Sequence, residues 1–276
     1  MGKFQAVIIM AIKVCVCGAC GRMGIMIVNA VLKHKGMKLV AAVDRPGAPC
    51  AGHDIGDVAG AGKAGVLVSA SGKLDEVMSK SRPDVLVDFT NADAAVKDMQ
   101  TAISKGVNMV VGTTGIPGDS LKSVEKSVKE KGSSAVISPN MAPGVNVLFE
   151  TAEKLGQLLL DYDIEIMEAH HSKKLDSPSG TALRLGEILA ASTGKRFVFG
   201  RKGKSTRGDE IGFHSIRAGD IAGEHTVLFA GPGERIELTH RASSRQPFVL
   251  GALLAIEFVA GKHDGKVYGM RDVLGI

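Results

Sequence analysis

Between an apolar run and a helical one the chain reads Val14-Cys15-Val16-Cys17-Gly18-Ala19-Cys20-Gly21-Arg22-Met23-Gly24, and this glycine turn constrains the fold more than any other stretch. Ile12 to Cys17 has the composition of a buried strand, and residues from Met23 to about Lys35 have helical apolar spacing. A second apolar strand, Lys38 to Val43, ends at Asp44. Strand, tight turn, helix and parallel strand make a βαβ unit. In such a unit Gly18 permits the turn, Gly21 lets backbone approach a pyrophosphate, and Gly24 allows close helix-to-strand packing. The helix start adds free N–H groups and the positive end of a dipole. Asp44, roughly twenty residues past the turn, is placed to accept from ribose hydroxyls. Cys20 stands where the commoner fingerprint has its second glycine. Asp44 favours a free 2′-hydroxyl whereas Arg22 and Arg45 suit a 2′-phosphate, so NADH and NADPH both stay open.

The first half continues in the same texture. Asp84 to Phe89, Asn108 to Gly112 and Ser134 to Ser138 read as strands, separated by helical patterns from Ala92 to Lys105 and after Pro117. After Pro143 the pattern changes to an apolar helix from Val145 to Leu160. The segments Tyr162–His171, Asp209–Asp220, Gly223–Gly231 and Gly233–Ala242 then read as strands of a mixed or antiparallel sheet. The fold class expected is α/β, a Rossmann-type doubly wound parallel sheet plus a second α+β domain with a mixed open sheet. Residues 1–142 and 246–276 form the dinucleotide-binding domain and residues 143–245 the substrate-binding and oligomerisation domain. The last helix, Pro247 to Val259, is almost wholly apolar and must be buried, returning to the first domain. The Lys/Gly-rich connection Gly200 to Gly208 reads as a mobile surface loop.

Composition narrows the class further. With 45% hydrophobic and 23% charged residues, the 276-residue chain is neither disordered, collagen-like nor a coiled coil. A net charge of +5 with interleaved signs and only 4% aromatics gives a poor platform for nucleic acid and suits a small anionic ligand. The apolar opening is interrupted by Lys13, has no cleavage site and runs into the glycine turn, so neither a signal peptide nor a membrane span is expected. Met10 is a second candidate start, with Met1 to Ile9 as an extension. The cysteines are Cys15, Cys17, Cys20 and Cys50. Cys17 and Cys20 spell C-x-x-C, but no second pair or histidines complete a zinc set, so these read as buried reduced thiols in a reducing cytosol.

Polar groups gather at strand ends. Asp88-Phe89-Thr90, Gly112-Thr113-Thr114-Gly115 and Ser138-Pro139-Asn140-Met141 fall where a doubly wound sheet presents its loops. The densest stretch is Glu168-Ala169-His170-His171-Ser172-Lys173-Lys174-Leu175-Asp176-Ser177-Pro178-Ser179-Gly180-Thr181-Ala182. Adjacent histidines in a strand point to opposite faces, so a shared metal is not expected. Acid–base and anion-binding work fits better: an imidazole to move a proton, Lys174 as a positive charge, and a helix start at Ser179-Gly180-Thr181 to hold a carboxylate. The alternative is a solvated loop with an N-cap at Ser179 or Thr181.

G-A-C-G-R-M-G, D-F-T, G-T-T-G, E-A-H-H-x-x-K-x-D-x-P-S-G-T-A, R-A-G-D-I-x-G-E-H, H-R-A-S-S-R and the closing Y-G-M-R-D-V-L together resemble the dihydrodipicolinate reductase family, in the family's order over nearly the whole chain. The resemblance implies a cytoplasmic homotetramer on the diaminopimelate route to lysine. It reduces a small cyclic unsaturated dicarboxylate with NADH or NADPH, with no metal, nucleic acid or membrane partner. It makes Gly18, Ala19, Cys20, Gly21, Arg22 and Met23 the pyrophosphate site, Asp44 the ribose ligand and Arg45 the 2′-phosphate ligand. Gly112, Thr113, Thr114, Ser138, Pro139, Asn140 and Met141 fall on the nicotinamide side. His170 becomes the proton donor, Lys174 a second donor or charge stabiliser, and His171, Gly180 and Thr181 the substrate ligands. Closure about linkers near Pro143 and Arg245 is expected to bring donor and acceptor together. Two competing readings are a related reductase and a non-enzymatic dinucleotide-sensing regulator. The first does not require E-A-H-H-x-x-K with S-G-T. The second predicts a basic DNA-reading helix, and the lysines from Lys122 to Lys131 alternate with acids like a solvated face.

Overall fold

A computed structural model describes residues 11–276. The readings of Met1 to Ile9 as an extension and of Met10 as a start lie outside the described residues. Strand β1 (Ile12–Cys17) leads through the glycine turn to α1 (Arg22–Lys33) and β2 (Met37–Asp44). Next come α2 (Ile55–Val58), β3 (Val68–Ala70), α3 (Leu74–Ser81), β4 (Val85–Asp88), α4 (Ala92–Ser104), β5 (Asn108–Val111), α5 (Gly118–Lys131) and β6 (Ala135–Ile137). After these come α6 (Pro143–Leu158), β7 (Asp163–His170), α7 (Gly180–Thr193), β8 (Arg196–Phe199), β9 (Glu210–Arg217), β10 (Gly223–Gly231) and β11 (Glu234–Ala242). The chain ends in α8 (Gln246–Val259), β12 (Val267–Tyr268) and α9 (Met270–Leu274).

The described elements divide into two compact units, residues 11–141 with 248–275, and residues 142–247. In the first, seven parallel strands run in the order β12-β6-β5-β4-β1-β2-β3. β1 and β4 are buried on both faces, which is why they read as unbroken apolar runs rather than alternations. Val14, Val16, Val85 and Val87 pack with Ile27, Val28 and Val31 of α1 and with Val249, Ala252, Ile256 and Val259 of α8. Cys15, Cys17 and Leu86 face the opposite layer, with Ala95, Met99 and Ala102 of α4 and Val124 and Val128 of α5. The apolar α8 is thus core to this unit from Phe248 onward.

In the second unit five strands run β11-β10-β7-β9-β8, with β7–β9 and β8–β9 parallel and β10 antiparallel to both β7 and β11, so the sheet is mixed. One face buries Ile164, Ile166, Ile211, Phe213, Val227 and Phe229 against Leu148 and Ala152 of α6 and Leu185 and Leu189 of α7. The loop from Gly200 to Gly208, expected to be mobile, is instead tied down. Arg207 binds Glu165 and Asp163 and donates to the carbonyls of Ile164 and Glu210, while Arg201 pairs with the buried Glu210. Its polarity reflects partners on β7 and β9 that lie far away in sequence. No helix among the described residues is long and apolar enough to cross a membrane.

Candidate active site

The glycine turn performs the steric task its spacing predicts. Gly18 adopts φ +69°, and a Cβ there would press on Thr90 Cγ2 and the Phe89 carbonyl. A Cβ on Gly24 would collide with the Gly18 carbonyl oxygen, so α1 starts hard against the turn. Gly21 caps α1 without a side-chain hydrogen bond, and no acid occupies the first turn. The positive helix end is left for an external anion. Asp44 at the end of β2 accepts from the amides of Cys20 (2.8 Å) and Arg45 (2.8 Å), which holds the carboxylate beside the turn with lone pairs to spare. Gly18, Gly21, Asp44 and Arg45 line one cleft of about 530 Å³ in the first unit. Cys17, Thr90 and Asp98 line the same cleft. A glycine cradle that a Cβ would fill, an uncapped helix start and a carboxylate at the next strand end fit a dinucleotide.

Cysteine pairing differs from expectation. Cys15 and Cys17 are free and buried, but Cys20 and Cys50 are joined in a disulfide. β1 and β2 are adjacent, so the loops leaving their C-terminal ends meet, a proximity that a separation of 30 residues conceals. The sulfurs near Asp44 are therefore bonded to each other, and cysteine usage does not argue for a reducing compartment.

The remaining predicted positions of this unit are held from below. Thr113 Oγ1 donates to Asp88 Oδ1 at 2.6 Å and accepts from Thr90 N–H at 2.8 Å. Gly112 passes so close to the Phe89 ring that a Cβ would strike it. Thr114 is exposed just beyond. Ser138 Oγ donates to the Asn140 carbonyl at 2.9 Å, turning the chain before the buried Met141.

In the second unit, Glu168 organises the acid–base groups. It is almost wholly buried on β7 and accepts both ends of the Arg217 guanidinium (2.7 and 2.8 Å), the Ser179 amide (3.2 Å) and His170 Nδ1 (2.6 Å). Burial pushes its carboxyl up, but donors from Arg217, Ser215 and His170 outweigh that and hold it at about 2. His170 is thereby fixed with Nδ1 on the carboxylate, leaving Nε2 as its working nitrogen. Burial pushes the imidazole below its ordinary range, against the pull of Glu168. Ser179 caps α7 by accepting from Ala182 N–H, and its hydroxyl is also hydrogen-bonded to His225 Nε2, 2.9 Å away. Burial, then the charge of His170, pushes His225 down to about 3, and its ring meets that of His170 edge-on at 5.1 Å. Lys174 Nζ pairs with Asp176 at 2.8 Å. The Ser177–Pro178 peptide is cis, and Gly180 and Thr181 open α7 directly after it.

Within this unit the structure brings together His170 and the start of α7, and it adds Glu168, Arg217 and His225. Each of these lies inside a motif already noted, E-A-H-H, R-A-G-D and G-E-H, but their convergence depends on β7, β9 and β10 being neighbours. The acid-alternating lysines of α5 are solvated, Lys122 pairing with Asp119 and Lys126 with Glu130.

A doubly wound sheet opened by a glycine cradle, in a chain that also carries a carboxylate-fixed histidine beside a helix start, defines an oxidoreductase of the pyridine-nucleotide class. Residues 12–141 match the family model described as dihydrodipicolinate reductase, N-terminus, and residues 144–274 that described as dihydrodipicolinate reductase, C-terminus. The chain belongs to the dihydrodipicolinate reductase family and is a reductase of lysine biosynthesis. It is 51% identical over 269 residues to the 4-hydroxy-tetrahydrodipicolinate reductase of Methanocaldococcus jannaschii, covering 96% of this chain and 98% of that one. Identity to the reductase of the same name from Methanothermobacter thermautotrophicus is 48% over 271 residues, with 96% and 99% covered. A solved dipicolinate-bound dihydrodipicolinate reductase from Paenisporosarcina sp. TG-14 superposes with TM-score 0.79 at 26% identity, over 95% of this chain and 99% of that one. An amine dehydrogenase from Mycobacterium smegmatis, at TM-score 0.57 and 17% identity over 91% of this chain and 92% of that one, shares the fold alone.

Proposed function

We propose that this chain uses NADH or NADPH to reduce 4-hydroxy-tetrahydrodipicolinate, by way of dihydrodipicolinate, to tetrahydrodipicolinate. The observation that carries this reading is His170 locked by Glu168 at 2.6 Å beside the α7 start. The dinucleotide-binding domain spans residues 1–142 with 246–276, and the substrate-binding and oligomerisation domain residues 143–245. Residues Gly18 to Met23 hold the pyrophosphate on the α1 amides, Asp44 the adenosine ribose and Arg45 a 2′-phosphate when one is present. Gly112 to Thr114 and Ser138 to Met141 border the nicotinamide. The reduced nicotinamide, when bound, supplies the hydride.

The other half of the reaction belongs to the second unit. Loss of water from the substrate gives a ring with C=C conjugated to C=N, and its reduction drives electrons toward nitrogen, leaving an enamine whose neighbouring carbon must take a proton. His170 Nε2 delivers that proton. The two carboxylates of the substrate supply the negative charge that lets a buried imidazole hold it. Lys174 offsets developing charge or donates in turn, and His171 with the Gly180 and Thr181 amides binds carboxylate. The family reading also supports a cytoplasmic homotetramer built on the second unit's sheet, whose strands expose Phe199, Ile216 and Ile236.

The test is a coupled assay in which pyruvate, aspartate semialdehyde and a dihydrodipicolinate synthase generate the substrate for this protein, with NADH and NADPH in parallel. Oxidation that requires the synthase is the expected result, and the two rates give the cofactor preference. Folded protein that binds either dinucleotide without oxidising it would contradict the proposal.

A further inference from the structure

Beside the dinucleotide cleft lies a buried group that the reaction chemistry does not use. Asp88 at the end of β4 is fully buried and Asp98 on α4 is 7% exposed. One oxygen of each carboxyl and Cys17 Sγ all lie within 4.8 Å of one another. Two buried carboxyl groups this close cannot both stay ionised, because like charges repel strongly at that range, so one of them holds a proton. The remaining capacity of Asp88 is spent on the cleft: Oδ1 accepts from Thr113 Oγ1 (2.6 Å), Thr90 Oγ1 (2.9 Å) and Thr90 N–H (3.1 Å). Thr90 and Asp98 themselves line the cleft with Gly18 and Gly21.

We propose that Asp98 is a positioning residue of the dinucleotide site, kept protonated beside Asp88 so that Asp88 can hold Thr90 in the cleft lining, directly and through Thr113, without a second negative charge beside the glycine turn. This rests on the dinucleotide reading above. Burial, then the charge of Asp88, pushes the Asp98 carboxyl up to about 7. The groups facing it are Asp88 on β4, Cys17 on β1 and Lys97 on α4 itself. The Cys17 thiol is pushed up by its hydrogen bond with Cys15, by burial and by the two acids, so it remains a neutral neighbour. α3 and α5 meet α4 chiefly through Leu74, Met78, Val124 and Val128, and the Asp75 carboxylate of α3 is engaged by Lys105, one residue past the end of α4. Ionisation of Asp98 then places a second charge beside an anionic ligand and drives the pair apart.

The consequence is a site that loosens as pH rises through about 7. If protonated Asp98 is the competent form, NADH affinity falls by up to about tenfold per pH unit above that point, in proportion to the competent fraction. NADH is the probe because the 2′-phosphate of NADPH itself titrates near about 6. The measurement is the NADH dissociation constant from about pH 5.5 to about pH 8.5 for the wild type and for Asp98→Asn, whose amide keeps the shape and donor capacity of a neutral carboxyl without titrating. A wild-type loss that Asp98→Asn flattens is the expected result, and the same slope in both proteins overturns the proposal. Infrared spectra of the cofactor-free wild type over the same range need no variant. A protonated carboxyl band lost near neutrality supports the retained proton, and its absence at the acid end refutes it. If NADH and NADPH both fail to bind even at the acid end, the dinucleotide reading itself falls, whereas binding with an unaltered slope condemns Asp98 alone.

Discussion

The two units build their sites in opposite ways. In the first, the dinucleotide cradle is made by side chains that are missing: Gly18, Gly24 and Gly112 admit a backbone path that a Cβ would block. In the second, the acid–base site is made by side chains that hold one another, Glu168 binding Arg217, His170 and the Ser179 amide at once. A cradle of backbone is intolerant of added volume, while a network of buried charge is tolerant of neither an absent partner nor an added proton.

The largest expected effect tests the charged side of this contrast. Glu168→Ala leaves Arg217 without its bidentate partner and frees the His170 ring, and breaking a buried pair costs about 3–5 kcal/mol. Chemical denaturation is expected to show that loss together with collapsed turnover and intact NADH affinity, and a stable variant would break the comparison. Next is the acid limb. An imidazole held at about 3 in the fold binds fewer protons than the unfolded chain up to its ordinary value near about 6.5, so stability rises with pH across that window and is lost on acidification. Melting of His225→Gln at about pH 4.5 and about pH 7 is expected to show a narrower gap than wild type, by as much as about 3 kcal/mol. An equal gap would mean that His225 is not the buried base described.

Gly24→Ala tests the steric side. Its Cβ must displace the Gly18 carbonyl, an overpacking expected to cost about 1–3 kcal/mol and to weaken dinucleotide binding more than tenfold, read by calorimetry. Unchanged affinity would show that the turn adjusts and that the glycine is not required. The smallest effect is Ser179→Ala, which removes the α7 cap and the hydroxyl on His225, with about 1 kcal/mol lost in denaturation. Its KM for substrate should rise because the α7 start is less well held.

The same contrast explains what was legible in the residues. The glycine turn lies within a dozen positions and Asp44 ends the very next strand, so Gly18, Gly21, Gly24 and Asp44 were readable together from local rules. α8 was readable because a helix apolar on every side must be buried. By contrast, Asp54 caps α2 and also accepts from Ala64 and Gly65 amides ten and eleven residues on, arranging a glycine-rich stretch whose short α2 and β3 carry no periodic pattern. Arg207 pinning the 200–208 loop, Arg217 reaching Glu168 from β9, and Cys20 meeting Cys50 all depend on which strands are neighbours. Motif spacing marked Glu168 and His225 as present but gave no sign that one orients His170 and the other lies buried against it.

The division of labour itself is tested by His170→Ala, assayed for turnover in the coupled reaction and for NADH and NADPH affinity on the same preparation. Turnover lower by on the order of a hundredfold or more, with both dissociation constants unchanged, is the predicted result. Near-normal turnover, or a loss confined to dinucleotide affinity, would contradict the assignment of proton delivery to the second unit.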